Sequence, residues 1–340
     1  MAEARPVLLV GSVPLESSTA VFDAVGDALG GLVKRVPDGE TGSRKDWIVW
    51  QGEVFARTPG LQPGGTRPLQ GGYLFQLYRV PENGADAVRF GALGYAASAL
   101  ASYEEFKAAR TAGRIAPGTR FQVSLPTPLA VVLSFSDPGS IAAIWPKYEQ
   151  RLSQEVAEIV AGIPHEDLAI QWDVAAEIVF ILEDPAMAAQ FPMPGLVAAI
   201  ARISAPIPAG VELGLHLCYG DPGHKHVVEP RDTGLLVRFA NELTAAIQRP
   251  VAWVHMPVPR DRDDAAYFAP LRDLRLPPGT ELYLGLVHLT DGAEGAQRRL
   301  AAAKTVVTDF GIATECGFGR RPPETVPNLL ALHRDISGLG

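Results

Sequence analysis

Short apolar runs recur along the chain, and most are followed by a stretch in which apolar positions return every three or four residues. Residues 6–10 (Pro-Val-Leu-Leu-Val) make the first run, which stops at Gly11-Ser12-Val13-Pro14 before 17–32 takes up helical spacing. Residues 33–36, 120–125, 168–173, 211–218, 251–256 and 281–287 read as further strands, and 305–310 with the approach to Cys316 supplies the last strand region. Helical periodicity covers 96–112, 141–163, 196–203, 233–247, 295–303 and 325–336. In 141–163 it places Glu149, Arg151, Glu155 and Glu158 largely on a wet face. Strands alternating with helices predict a parallel sheet. About eight such units, with polar residues gathered at the C-terminal strand ends, predict an α/β fold. The expectation is a single (β/α)8 TIM barrel over 1–340 rather than a doubly wound sheet. Residues 52–95, rich in Gly, Pro and Gln, interrupt the alternation and read as an insertion at the top face, a hairpin or a lid.

Composition narrows the function more than the fold. With 340 residues, 47% hydrophobic and 20% charged, the chain has ample core for one large barrel or two average domains. A net charge of -8 and the lack of a dense Lys/Arg block argue against nucleic-acid or anionic-membrane partners. No segment reaches the roughly 18 uninterrupted apolar residues of a membrane span. The N-terminus runs directly into a strand, so a cytoplasmic protein is expected. Neither a Gly-x-Gly-x-x-Gly after the first strand nor a phosphate loop occurs, so nucleotide binding has little support. The 2 cysteines, Cys218 and Cys316, form no disulfide framework; in a reducing compartment such residues are free, catalytic or metal-bound.

Both cysteines end apolar runs, and Cys218 lies two residues after His216, so their side chains leave the same side of a strand. One imidazole and two thiols make a mixed donor set that suits zinc. Structural zinc sites use local spacings such as Cys-x-x-Cys; donors roughly a hundred residues apart imply a site that the fold assembles. His255 ends the strand after the His216/Cys218 unit and is the candidate fourth donor, or else a histidine that contacts a ligand or substrate. His224 and His226, in the loop that follows, are either further donors, a lid, or solvated. Arg260 lies just beyond His255 and suits a carboxylate or sulfonate bidentately. The loop from Asp38 to Trp47, dense in charge, reads either as a substrate clamp or as a solvated turn.

Gly11-Ser12-Val13-Pro14, Gln171-Trp172-Asp173, His216-Leu217-Cys218-Tyr219 and Cys316-Gly317-Phe318-Gly319-Arg320 follow the order and approximate positions seen in the catalytic barrel of cobalamin-independent methionine synthase. The resemblance covers most of the chain, least in 52–95, and His-x-Cys with a distant Cys-Gly is its specific part. It implies a (β/α)8 barrel that holds one zinc through a histidine, two cysteines and usually a glutamate. By that resemblance His216, Cys218 and Cys316 are zinc ligands, Gly11 and Ser12 contact the carboxylate end of an amino-acid thiol, and Asp173 holds its ammonium. The chain departs from the pattern where the glutamate ligand would stand, since it has Val254-His255-Met256 there. It also lacks the acidic turn after Gln-x-Asp; Glu177 either replaces that carboxylate or is an ordinary acid at a helix N-terminus.

The expected activity is zinc-dependent methyl or alkyl transfer, in which a thiolate on zinc accepts an alkyl group; the partners are a small-molecule thiol acceptor and an alkyl donor. The alternatives are a zinc hydrolase or lyase that uses metal-bound water with Asp173 or Glu177 as base, and a binding protein without turnover. Oligomeric state, donor and acceptor stay open.

Overall fold

The computed structural model describes residues 4–339 apart from 70 and 224. Its centre is a parallel sheet of strands β1 (Arg35–Pro37), β4 (Arg120–Pro126), β5 (Leu168–Val174), β6 (Glu212–Leu217), β7 (Trp253–Pro257), β8 (Glu281–Val287) and β9 (Gly311–Thr314), in that order. The remaining strands, β2 (Gln62–Leu69) and β3 (Tyr73–Arg79), form a separate antiparallel hairpin. Residues 6–10 contribute one residue of regular pairing. Val7 bridges Val33, just before β1, and also Ile312 in β9, so this segment lies between the two edges of the seven-stranded sheet. The Val7 amide donates to Leu32 O and the Leu8 amide to Ile312 O, both at 2.9 Å.

Helices cross from strand to strand outside this curled sheet. Ser18–Leu29 follows the first segment, Tyr95–Thr111 precedes β4, Ile141–Gly162 precedes β5 and Met193–Ser204 precedes β6. Gly234–Ala246, Gly292–Lys304 and Val326–Arg334 complete the layer. Each lies within a few residues of its predicted span. The periodicity misses the helix Pro128–Phe135, which is buried along its whole length and so shows no polar stripe. The interrupting region is ordered: helix Gln51–Arg57 leads into the β2/β3 hairpin, whose Phe75 is buried against Phe135 with ring centroids 5.0 Å apart.

One expectation for helix Ile141–Gly162 fails. Glu155 is only 1% exposed instead of lying on the wet face. Its carboxylate accepts the amides of Leu93 at 2.8 Å and Ala96 at 2.6 Å, and pairs with Arg151 at 2.6 Å. The N-terminus of Tyr95–Thr111 is docked on it, where unsatisfied amides and the helix dipole favour a negative charge.

Side chains alternate across the sheet. Leu8, Val10, Ala169, Trp253, Tyr283 and Ala313 form an inner cluster, while Val7, Leu9, Val254 and Leu284 belong to the larger core under the helices. At the N-terminal end of the strands Arg35, 2% exposed, stacks on Trp253 and bonds Glu212 at 2.9 Å and Glu281 at 3.0 Å. The other end of the strands carries the chemistry.

Candidate functional site

Strand β6 delivers His216 and, one residue past its end, Cys218; the loop after β9 delivers Cys316. Cys218 Sγ is 3.9 Å from Cys316 Sγ, and Cys316 Sγ is 3.9 Å from His216 Nε2. The three donor atoms all lie within 4.8 Å of one another. Among the described residues no other set of three His, Cys, Asp or Glu donors comes together this way. The Gly220 amide donates to Cys218 Sγ at 3.2 Å. Hydrogen bonding to Cys316 and burial push the Cys218 thiol well above its usual value. Two thiols and an imidazole nitrogen this close together make a donor set that could hold a thiophilic cation.

His255 pairs in register with His216 but does not join this group. Its Nδ1 lies 2.7 Å from His216 Nδ1 and its Nε2 3.0 Å from Thr314 O, so both ring nitrogens are engaged within the protein. Of the two readings of His255, fourth donor or a histidine that contacts a ligand, this arrangement fits the second. His226 is also elsewhere: its Nδ1 faces Glu229 at 3.2 Å and its Nε2 faces Glu315 at 3.4 Å. His224 lies outside the described residues.

The donors open into a cavity of about 120 Å³ at the C-terminal strand ends, and Glu40, Trp47, Tyr73 and Asp173 are among its lining residues. Gly11 and Ser12 also line it. Ser12 is tied to the cysteine loop, since its carbonyl accepts the Phe318 amide at 2.7 Å and its Oγ the Gly319 amide at 3.2 Å. A Cβ on Gly317 would stand 2.3 Å from Ser12 Oγ and 2.9 Å from its amide nitrogen, so only glycine allows this approach.

Asp173 is 7% exposed and accepts from Gln171 at 2.8 Å and from the Trp47 indole at 3.3 Å. Facing it is Glu40, from the charged loop that reads in the sequence either as a substrate clamp or as a solvated turn. Burial, and then the charge of Asp173, push the Glu40 carboxyl well above the usual glutamate range, and burial raises Asp173 likewise. Glu40 and Trp47 both adopt left-handed backbone, with φ of 49° and 55°. Non-glycine residues hold that conformation when surrounding structure imposes it, often at ligand sites. Here the Asp38 carboxylate accepts the Glu40 amide at 2.9 Å and pairs with Arg44 at 2.7 Å, which fixes the turn. The Asp38 to Trp47 loop is therefore a wall of the cavity. The sequence offered one sign of this, a tryptophan and an unusual density of turn residues directly after a strand.

Two proposed site residues are not brought to this cavity. Glu177 begins a π-helical turn, Glu177–Leu182, and sits beside Thr127 rather than among the lining residues. Arg260 pairs with Asp261 at 3.3 Å and lines a second, more polar cavity with His226, His288 and Glu315. No helix among the described residues is long and apolar enough to cross a membrane.

No protein-family model and no curated protein matches the chain. Solved structures do. A B12-independent methionine synthase from Shewanella sp. W3-18-1, in complex with selenomethionine, superposes with a TM-score of 0.61 at 17% identity over 99% of this chain and 98% of its own. A protein from Listeria monocytogenes assigned as a vitamin-B12-independent methionine synthase gives 0.59 at 14% identity, covering 98% and 99%. A methyltransferase from Methanosarcina mazei gives 0.50 at 11% identity, covering 98% and 95%. At these identities the likeness is one of architecture, and the chain has the fold of the methionine synthase-like proteins.

Proposed function

We propose that the chain is a zinc-dependent methyl or alkyl transferase in which a small-molecule thiol accepts an alkyl group. We place it on a closed eight-stranded barrel of one domain, with 6–10 as the eighth strand. The observation that carries the reading is the convergence of His216 and Cys218 at the end of β6 with Cys316 after β9, with donor atoms within 4.8 Å, on the wall of a cavity. Fold likeness to methionine synthases and to a methyltransferase supports it. A zinc ion on these donors supplies Lewis acidity that lets a substrate thiol ionise near neutral pH while its sulfur stays nucleophilic.

The remaining work falls to the chain's own side chains. Asp173 and Glu40 make an acidic wall suited to the ammonium group of an aminothiol. A cation between the two carboxyls restores the ionised form that burial disfavours. Trp47 and Gln171 fix the Asp173 carboxylate, and Ser12 with Gly11, on the same cavity wall, would take the carboxylate end of the same molecule. The apolar wall, including Phe75 and Val179, shields the reacting sulfur from water and accommodates the alkyl donor.

Cys218→Ser and Cys316→Ser are each expected to lose stoichiometric zinc together with thiol-dependent alkyl transfer. Metal analysis that finds one zinc per chain in both variants would overturn the reading, as would turnover that needs no thiol.

A further inference from the structure

His255 stands at the strand end where a fourth donor is expected, yet its ring is fully used inside the protein. Thr314 O only accepts hydrogen bonds, so His255 Nε2, 3.0 Å away, carries the hydrogen. In a neutral ring the other nitrogen is then a bare acceptor, and His216 Nδ1 at 2.7 Å must donate to it. That leaves His216 Nε2 as the lone pair, on the nitrogen that faces Cys316 Sγ. Both rings are buried, His255 at 0% exposed and His216 at 2%.

The path between these groups is built into the sheet. Strand β8 runs between β7 and β9, and a side chain at the crossing point would block the bond from His255 to Thr314. The residue there is Gly285, whose added Cβ would lie 2.9 Å from His255 Nε2 and 2.7 Å from Thr314 O. Thr314 Oγ1 in turn donates to Cys316 O at 2.6 Å. One line of hydrogen bonds thus joins the histidine donor on β6 to the cysteine loop after β9.

We propose that His255 is a positioning residue and that the protein supplies three metal donors, His216, Cys218 and Cys316, with the remaining coordination position left to an exogenous ligand. The proposal rests on the metal reading above. Three protein donors and an open position are the arrangement of catalytic zinc sites, whereas structural sites are closed. Two thiolates and a neutral imidazole bring a divalent ion to zero net charge. A fourth, carboxylate donor would make the centre anionic and a weaker Lewis acid.

The test is X-ray absorption on the full chain loaded with one equivalent of zinc. The expected spectrum has two sulfurs at about 2.3 Å and one imidazole nitrogen at about 2.0–2.1 Å. Cysteamine, used as the probe thiol, raises the sulfur count to three. His255→Leu keeps the same protein donors but binds zinc roughly 10–100-fold more weakly in competition with a chelator. His255→Gln, whose amide offers one acceptor and one donor, recovers part of that affinity. Two imidazoles in the parent spectrum would overturn the proposal without recourse to any variant, and so would a sulfur count that cysteamine leaves unchanged. A parent chain that takes up no stoichiometric zinc would overturn the metal reading and this proposal with it.

Discussion

Glu177→Gln separates a buried carboxyl from a catalytic one. Glu177 is 1% exposed, and its Oε2 has no hydrogen-bond partner among the described residues. Burial raises it from 4.5 to about 7, with the Thr127 side chain offsetting part of the effect. From the unfolded value of 4.5 up to about 7 the unfolded chain releases a proton that the folded chain keeps, so stability falls as pH rises. The contribution is fully present below the unfolded value and is lost as pH passes the folded one. At 1.36 kcal/mol per pKa unit the gap corresponds to about 3 kcal/mol. Glutamine keeps the shape and removes the ionisation. Urea unfolding of the parent and the variant is therefore expected to show the variant gaining about 3 kcal/mol relative to the parent between about pH 4.5 and about pH 8. Glu40 and Asp173 shift in the same direction in both proteins, so the difference reports Glu177 alone. A difference that stays constant with pH would refute the reasoning. Alkyl-transfer rates at neutral pH are expected to be equal; a loss of 100-fold or more with zinc retained would identify Glu177 as a catalytic base after all, at the roughly 10²–10⁴-fold scale of that role.

Further outcomes follow from the same geometry. Glu40→Gln is expected to raise the KM for an aminothiol acceptor about 10-fold or more while leaving an uncharged thiol unaffected, since a hydrogen bond to a charged partner contributes about 1.5–3 kcal/mol; equal effects on both thiols would contradict the acidic wall. Gly317→Ala forces Ser12 and the cysteine loop apart, with an expected cost of about 1–3 kcal/mol in denaturant unfolding and weaker zinc binding. Parental values for both would show that the approach of Ser12 is not restrictive. Arg35→Ala removes the guanidinium between Glu212 and Glu281 and is expected to destabilise the fold by about 3 kcal/mol with zinc stoichiometry unchanged; loss of zinc at parental stability would contradict a purely structural role.

What could be read in the sequence follows from how local each signal is. The strand and helix order was legible because each element carries its own period, and the i,i+2 spacing of His216 and Cys218 already puts two donors on one side of a strand. Cys316 was legible through the scarcity of cysteine and its position after an apolar run. Three features were not, because tertiary contacts decide them. A strand-end histidine can turn either nitrogen to a metal, and the bonds from His255 to Thr314 and His216 depend on Gly285 in an intervening strand. Glu40 belongs to a loop whose charges read either as a substrate clamp or as a solvated turn, a choice made only where Asp38, Arg44 and Trp47 fold it over the strand ends. Glu155 has the periodicity of a surface residue, and the N-terminus of another helix covers it.

The central claim is that the His216, Cys218 and Cys316 donors hold a metal on which a substrate thiol binds. It is tested most directly by titrating the cobalt(II)-substituted protein with an aminothiol and following the sulfur-to-cobalt charge-transfer absorption. The expected result is a band already present from the two cysteines that grows and saturates at one equivalent of thiol per chain. A band that the thiol leaves unchanged, or a chain that takes up no stoichiometric cobalt, would contradict the account.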